Sequence, residues 1–241
     1  MIKIDQLSKH YRDLVAVNDI SFEVAKGEIV GFLGPNGAGK STTMKIITGF
    51  LPASSGRVEV AGVDVFEDPM QVRRSIGYLP EIPPVYPELT VREYLRFVGK
   101  LKKVPRKELT SEIDRVVGRL SLESVVDRLI RNLSKGYQQR TGFAQALLGN
   151  PPILILDEPT VGLDPRQIGE VRELIKELSG AHTVILSTHI LQEVVATCKR
   201  VVIINRGEIV ADSTLNALVA KHSKDASANS LEEIFLSLTE V

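Results

Sequence analysis

Cysteine is nearly missing: Cys198 stands alone among 241 residues. An intrachain disulfide is therefore excluded, and a lone thiol suits a reducing compartment, where a buried and inert cysteine is expected. An excess of charge of either sign is also lacking, since Lys+Arg and Asp+Glu both number 30. The chain as a whole has no strong nonspecific attraction to nucleic acid or anionic lipid, and only local patches remain. Apolar runs are short, as at 153–156 and 201–204, against the roughly 20 residues that cross a bilayer. Met1, Ile2, Lys3, Ile4 and Asp5 alternate in polarity instead of forming a basic flank and an apolar stretch, so no secretory leader is read there. Internal repeats, low-complexity tracts and sustained heptads are absent as well. These absences lead to the expectation of a protein that is cytoplasmic and soluble by itself.

What is present is a globular composition, 43% hydrophobic, enough core for one large domain or two closely joined lobes. Ile2 and Ile4, then Ile20, Phe22 and Val24, then Val58 and Val60 alternate with polar neighbours, which predicts half-buried antiparallel strands near the N-terminus. The runs at 29–33, 153–156, 184–186 and 201–204 are continuously apolar, the pattern of a parallel sheet covered on both faces. Between them, Val91, Leu95, Val98 and Leu101, then Leu109, Ile113, Val116 and Leu120, repeat at helical spacing. The expected fold is an α/β core, a mostly parallel sheet flanked by helices, with an N-terminal antiparallel β subdomain and an inserted α-helical lobe at about 83–150. The lobe is entered through the proline-rich segment holding Pro80, Pro83, Pro84 and Pro87. Asn205, Arg206, Gly207 and Glu208 read as a hairpin turn, residues 221–230 as a linker, and Leu231, Ile234, Phe235 and Leu238 as a last amphipathic helix.

Gly34, Pro35, Asn36, Gly37, Ala38, Gly39, Lys40 and Ser41 match the phosphate-binding loop G-x-x-x-x-G-K-[ST], placed between a predicted buried strand and a predicted helix. The context makes the match specific and implies a P-loop NTPase core. Glycines let successive backbone N–H groups turn toward phosphates, and the helix N-terminus adds positive partial charge. Lys40 is then the residue that reaches the β- and γ-phosphates, Ser41 a Mg²⁺ ligand, and Thr42 a partner for the α-phosphate. A second feature is the apolar strand that ends in Asp157 and Glu158. Ligands gather at that edge of a parallel sheet. Asp157 is expected to hold Mg²⁺ through its water shell, and Glu158 to orient and deprotonate the attacking water.

Both features are common to many nucleotidases. A third is more selective: Leu133, Ser134, Lys135, Gly136, Tyr137, Gln138, Gln139 and Arg140 resemble the ABC signature L-S-G-G-Q, and stand about one helix before the acidic strand. With Gly162-Leu163-Asp164 and Ser187-Thr188-His189 the motif order is that of an ABC transporter nucleotide-binding domain over nearly the whole chain. The resemblance implies that Ser134 and the backbone of Gly136 bind the γ-phosphate held by another protomer's phosphate loop. It also implies that Asp164 lies at the dimer interface, that His189 contacts the γ-phosphate and attacking water, and that Tyr11 stacks on adenine. Taken singly, Ser134 reads as a helix N-cap and Asp164 before Pro165 as another. Lys135 and Tyr137 depart from the usual signature, and Glu81 stands where the family has a glutamine that meets Mg²⁺, so it is expected either to take that metal position or to be a solvent-facing loop carboxylate after Pro80. These departures are similar to those of the branch serving ABC-2 type exporters.

The resemblance implies an ATPase using ATP and Mg²⁺. Its partners are then a second copy or a homologous cassette and a membrane transporter subunit, with no nucleic acid. Residues 1–220 would form the cassette and 221–241 a short linker and helix. It would sit on the inner face of the membrane through its partner. Two other classes compete. A soluble ABC-type ATPase of DNA repair or translation usually has paired cassettes or long coiled coils, which this chain lacks. A regulatory module with a dead site fits poorly with intact Lys40, Asp157, Glu158 and His189.

Overall fold

A computed structural model of the chain describes residues 1–222 and 231–239, so most of the expected linker at 221–230 lies outside the described residues. Strands β1 (Ile2–Tyr11) and β2 (Leu14–Val24) pair antiparallel, and their alternation buries Ile2, Ile4, Ile20, Phe22 and Val24. After β3 (Ile29–Leu33) and helix α1 (Lys40–Ile47), β4 (Ser55–Val60) returns antiparallel to β1, and β5 (Val63–Asp64) completes a sheet of order β2-β1-β4-β5. Next come α2 (Pro69–Ser75), β6 (Ile76–Leu79) and the helical lobe, with α3 (Val91–Leu101), α4 (Leu109–Arg119) and α5 (Lys135–Leu147). The chain ends with β7 (Ile153–Asp157), α6 (Pro165–Glu177), β8 (Thr183–Thr188), α7 (Leu191–Thr197), β9 (Arg200–Asn205), β10 (Glu208–Thr214), α8 (Leu215–His222) and α9 (Leu231–Thr239).

The second sheet runs β10-β9-β3-β8-β7-β6, parallel from β9 to β6, with β10 antiparallel at one edge. The inner runs of β3, β7, β8 and β9 are apolar because each face has its own cover, whereas the edge strand β10 alternates exposed and half-buried residues. Leu154, Leu156, Leu186 and Ile203 pack into the cluster that includes the helical lobe. Ile153, Ile155, Ile185 and Ile204 pack on the other side with the N-terminal sheet. Burying each such side chain contributes about 1.5–3 kcal/mol relative to exposure.

Strand β6 is a finding the sequence reading lacked. It is four residues long, too short for a period to show, and Gly77 weakens its strand signal. The structure explains the glycine: a Cβ at Gly77 would lie 2.2 Å from the carbonyl oxygen of Ala146, so α5 rests directly on this strand's backbone.

Helix α3 begins with a capping box between Thr90 and Glu93, and buries Val91, Leu95 and Val98 as its spacing predicts. Leu101, expected on the same face, is 65% exposed in its last turn. Helix α5 is buried on nearly every side, and the Lys102 ammonium closes its C-terminus by donating to the carbonyl oxygens of Gln145, Ala146 and Leu148 at 2.6, 3.0 and 3.1 Å. The expected hairpin between β9 and β10 is present, with both Arg206 and Gly207 in the left-handed region. Its tip is tied inward: the Gly207 N–H donates to Ala38 and the Asn18 N–H to Gly207. Cys198 is buried, and that burial pushes its thiol up to about 12. Among the described residues no helix is long and apolar enough to cross a membrane.

Candidate active site

The loop between β3 and α1 is squeezed between strand ends. Gly39, the N-cap of α1, has φ 107°, and a Cβ there would meet the carbonyl oxygen of Ala16 at 2.5 Å, so only glycine fits. No acidic residue stands in the first turn of α1 to offset the partial charge of its N-terminus. Lys40 turns back under the loop, its Nζ donating to the carbonyl oxygens of Gly34 at 2.8 Å and Pro35 at 3.1 Å. It also lies 3.6 Å from Glu158 Oε1.

Glu158 sits just past β7 at φ 51°, a left-handed conformation unusual outside glycine, which turns the chain out of the strand. Its N–H still donates to the Ser187 carbonyl at 2.8 Å, so the β7–β8 pairing carries it to the sheet edge. Its carboxylate faces the His189 ring, with Nδ1 at 3.0 and 2.9 Å from the two oxygens. An ionised carboxylate only accepts, so this contact places a proton on Nδ1. Asp157 is 1% exposed, and its Oδ1 accepts from Ser187 Oγ at 2.7 Å.

These groups share one cleft of about 580 Å³, lined by Tyr11, Asn36, Gly37, Gly39, Lys40, Ser41, Thr42, Glu81, Glu158 and His189. Gly34, Pro35 and Ala38 shape the loop without lining the cleft, and Asp157 is buried next to it in sequence but not on its wall. Glu81, expected either at the metal or as a free loop carboxylate, is exposed on this wall. Burial pushes the Tyr78 phenol well up, and the charges of Asp157 and Glu81 push it the same way, so both carboxylates are felt at one point beside β6. Ser41, Asp157 and Glu81 offer hard oxygen donors of the kind Mg²⁺ takes. Among the described residues no group of three or more acidic, His or Cys side chains forms a ready metal cage.

Ser134, Gly136 and Asp164 are not on this cleft. Ser134 caps α5, accepting the Tyr137 N–H at 3.4 Å, and Asp164 caps α6 in a capping box with Gln167. Gln167 joins the two helix starts, because its amide packs so closely on Gly136 that a Cβ there would lie 2.4 Å from Gln167 Oε1. The starts of α5 and α6 thus stand together and apart from the cleft that holds Lys40 and Glu158. Tyr11 is 42% exposed at the cleft, with Lys9 Nζ 5.2 Å from its ring centroid.

Sequence reading missed Glu193. It is 1% exposed, one oxygen taking the Thr160 hydroxyl and the other the Thr188 hydroxyl at 2.8 Å. In the sequence it is only an acidic residue in the first turn of a helix, a common place for one.

The family model described as ABC transporter matches residues 17–161. The chain is 37% identical over 226 residues to the bacitracin transport ATP-binding protein of Bacillus licheniformis, covering 93% of this chain and 73% of that one. Among solved structures it is similar to an ATP-binding subunit of an ABC transporter, with TM-score 0.90, 32% identity and 99% of each chain covered. It is also similar to the dimeric post-hydrolysis structure of the ATP-binding cassette MJ0796 bound to ADP and Pi, with TM-score 0.83, 26% identity, and 89% of this chain and 99% of that chain covered.

Proposed function

Since this chain belongs to the ABC transporter family, we propose that it powers export through a separate membrane subunit by hydrolysing ATP at sites shared between two cassettes. The observation that carries this is the placement of Glu158 between Lys40 and His189, in a cleft floored by the phosphate loop.

In this reading the loop from Gly34 to Thr42 cradles the phosphates of ATP, and Tyr11 stacks on the adenine at the cleft mouth. Ser41, Asp157 through water, and Glu81 would hold Mg²⁺, which would supply charge neutralisation for the phosphates. Glu158 accepts the proton of the attacking water, and His189, fixed by Glu158, holds the γ-phosphate side. Lys40 already compensates the Glu158 charge, so the carboxylate is tolerated close to the phosphates. Ser134 and Gly136, with Asp164 beside them, complete the site of a second cassette. That arrangement accounts for their standing off the cleft of their own chain.

The membrane partner would dock on the stretch from Glu81 to Tyr94, where Ile82 and Tyr86 are exposed. Beside it an apolar groove of about 470 Å³ is lined by Phe50, Ile76, Pro80 and Pro84. Export is favoured by Lys135, Tyr137 and Glu81 and by the likeness to a bacitracin transport protein. The subunit would then lie in the cytoplasm, peripheral to the membrane, with residues 1–220 as the cassette, the lobe at about 83–150, and 221–241 as a tail. The test is phosphate release from Mg²⁺ATP by the full chain, together with the membrane protein that copurifies with it. Release abolished by Lys40→Ala is expected. No release from either preparation would overturn the reading.

A further inference from the structure

Glu193 is a carboxylate with 1% exposure and, among the described residues, no cation within ion-pair distance. Burying such a group is costly unless every lone pair is used. Here the uses are specific. One oxygen accepts from Thr160, two residues after Glu158, and the other from Thr188, the residue before His189. Thr188 Oγ1 accepts the Ile190 N–H at 3.1 Å with a lone pair and donates its single proton to Glu193. The Thr197 hydroxyl donates to the backbone carbonyl of Glu193 at 2.7 Å and so anchors the turn that carries it. The loop after β7 and the loop after β8 are therefore bolted together behind the pair they present to the cleft.

We propose that Glu193 is a positioning residue for ATP hydrolysis, pinning Thr160 and Thr188 so that His189 stays against Glu158. This rests on the reading of Glu158 and His189 given above. A carboxylate is required because two hydroxyl donors face one side chain. A glutamine side chain at this position would offer only one acceptor oxygen, and one threonine would have to turn its proton away.

The experiment compares the full chain with Glu193→Gln and with Thr160→Val, which removes one arm at nearly constant volume. In both, kcat is expected to fall about 10- to 100-fold, as for a reacting group misplaced by a fraction of an ångström. The KM for ATP should stay within about threefold, since the phosphate cradle is untouched. The nitrogen resonances of the His189 ring should move in both variants. Those of His182, buried with Nδ1 2.7 Å from the Pro151 carbonyl, should not. Parental kcat in folded Glu193→Gln would overturn the proposal. So would a loss of kcat matched by a rise in KM with the His189 resonances unmoved, which is the signature of a general brace. Parental kcat in His189→Ala would instead overturn the role given to His189. It is told apart because Glu193→Gln would still shift that ring.

Discussion

Lys40 Nζ stands 3.6 Å from Glu158 Oε1, and both side chains are only 6% exposed. The two groups define what each can lose. Lys40 keeps two loop carbonyls as acceptors if the Glu158 charge is removed, whereas Glu158 is the cleft carboxylate in contact with the His189 ring.

Glu158→Gln should therefore retain ATP binding while turnover falls about 10²- to 10⁴-fold, the usual contribution of a positioned general base. Nucleotide titration and phosphate release on the same preparation check both halves. Turnover within a few-fold of the parent would remove Glu158 from the role.

The separation of Ser134 from the cleft of its own chain leads to a second expectation. The chain should be largely monomeric without nucleotide, and Glu158→Gln with ATP should form dimers that Ser134→Arg prevents. Light scattering across these conditions is the measurement, and a dimer indifferent to both changes would refute shared sites.

Glu81 brings a carboxylate to the cleft wall. Next to phosphate that charge must be offset by the cation, so Mg²⁺ should be more strongly required than with an uncharged amide. Glu81→Gln should keep most ATPase activity with a weaker Mg²⁺ dependence. Glu81→Ala should lose about tenfold or more of its turnover as a ligand and anchor is removed, and uncouple what remains from the membrane partner. Parental Mg²⁺ titration and partner-stimulated turnover in Glu81→Ala would leave Glu81 a free loop carboxylate.

Burial draws the Lys102 ammonium down from 10.5 to about 8, with Glu112 opposing the fall. Between those values the unfolded chain binds more protons than the folded one, so stability attributable to Lys102 rises with pH across that window and is flat below it. Melting temperatures of the parent and of Lys102→Met, taken from pH 7 to 10.5, should diverge in the parent's favour above about pH 8. A constant gap would mean that the ammonium is not titrating there.

What could be read from the sequence was what lies contiguous in it. The phosphate loop, the acidic strand end and the alternating strands each carry their pattern within a few residues, and the structure brings Lys40 and Glu158 to one cleft and β1, β2 and β4 into one sheet. Residues whose partners are remote could not be read. Thr160 and Glu193 are 33 positions apart, and Lys102 lies 43 from Gln145; neither spacing forms a pattern. Strand β6 was hidden for a different reason, since its glycine answers to a helix that packs on it and not to its own strand. Leu101 shows the reverse error, a residue on the right period at a position where the helix has already left the core.

Helix α5 is capped by Ser134 at one end and by Lys102 at the other. Thirteen residues make a rod about 20 Å long. Held at the Lys102 end, a tilt of roughly 10° would sweep the Ser134 end through about 3.5 Å. That is the full reach of a hydrogen bond. A small rocking at the lobe's foot would thereby be enough, by lever arm alone, to make or break a contact at its tip without bending the helix.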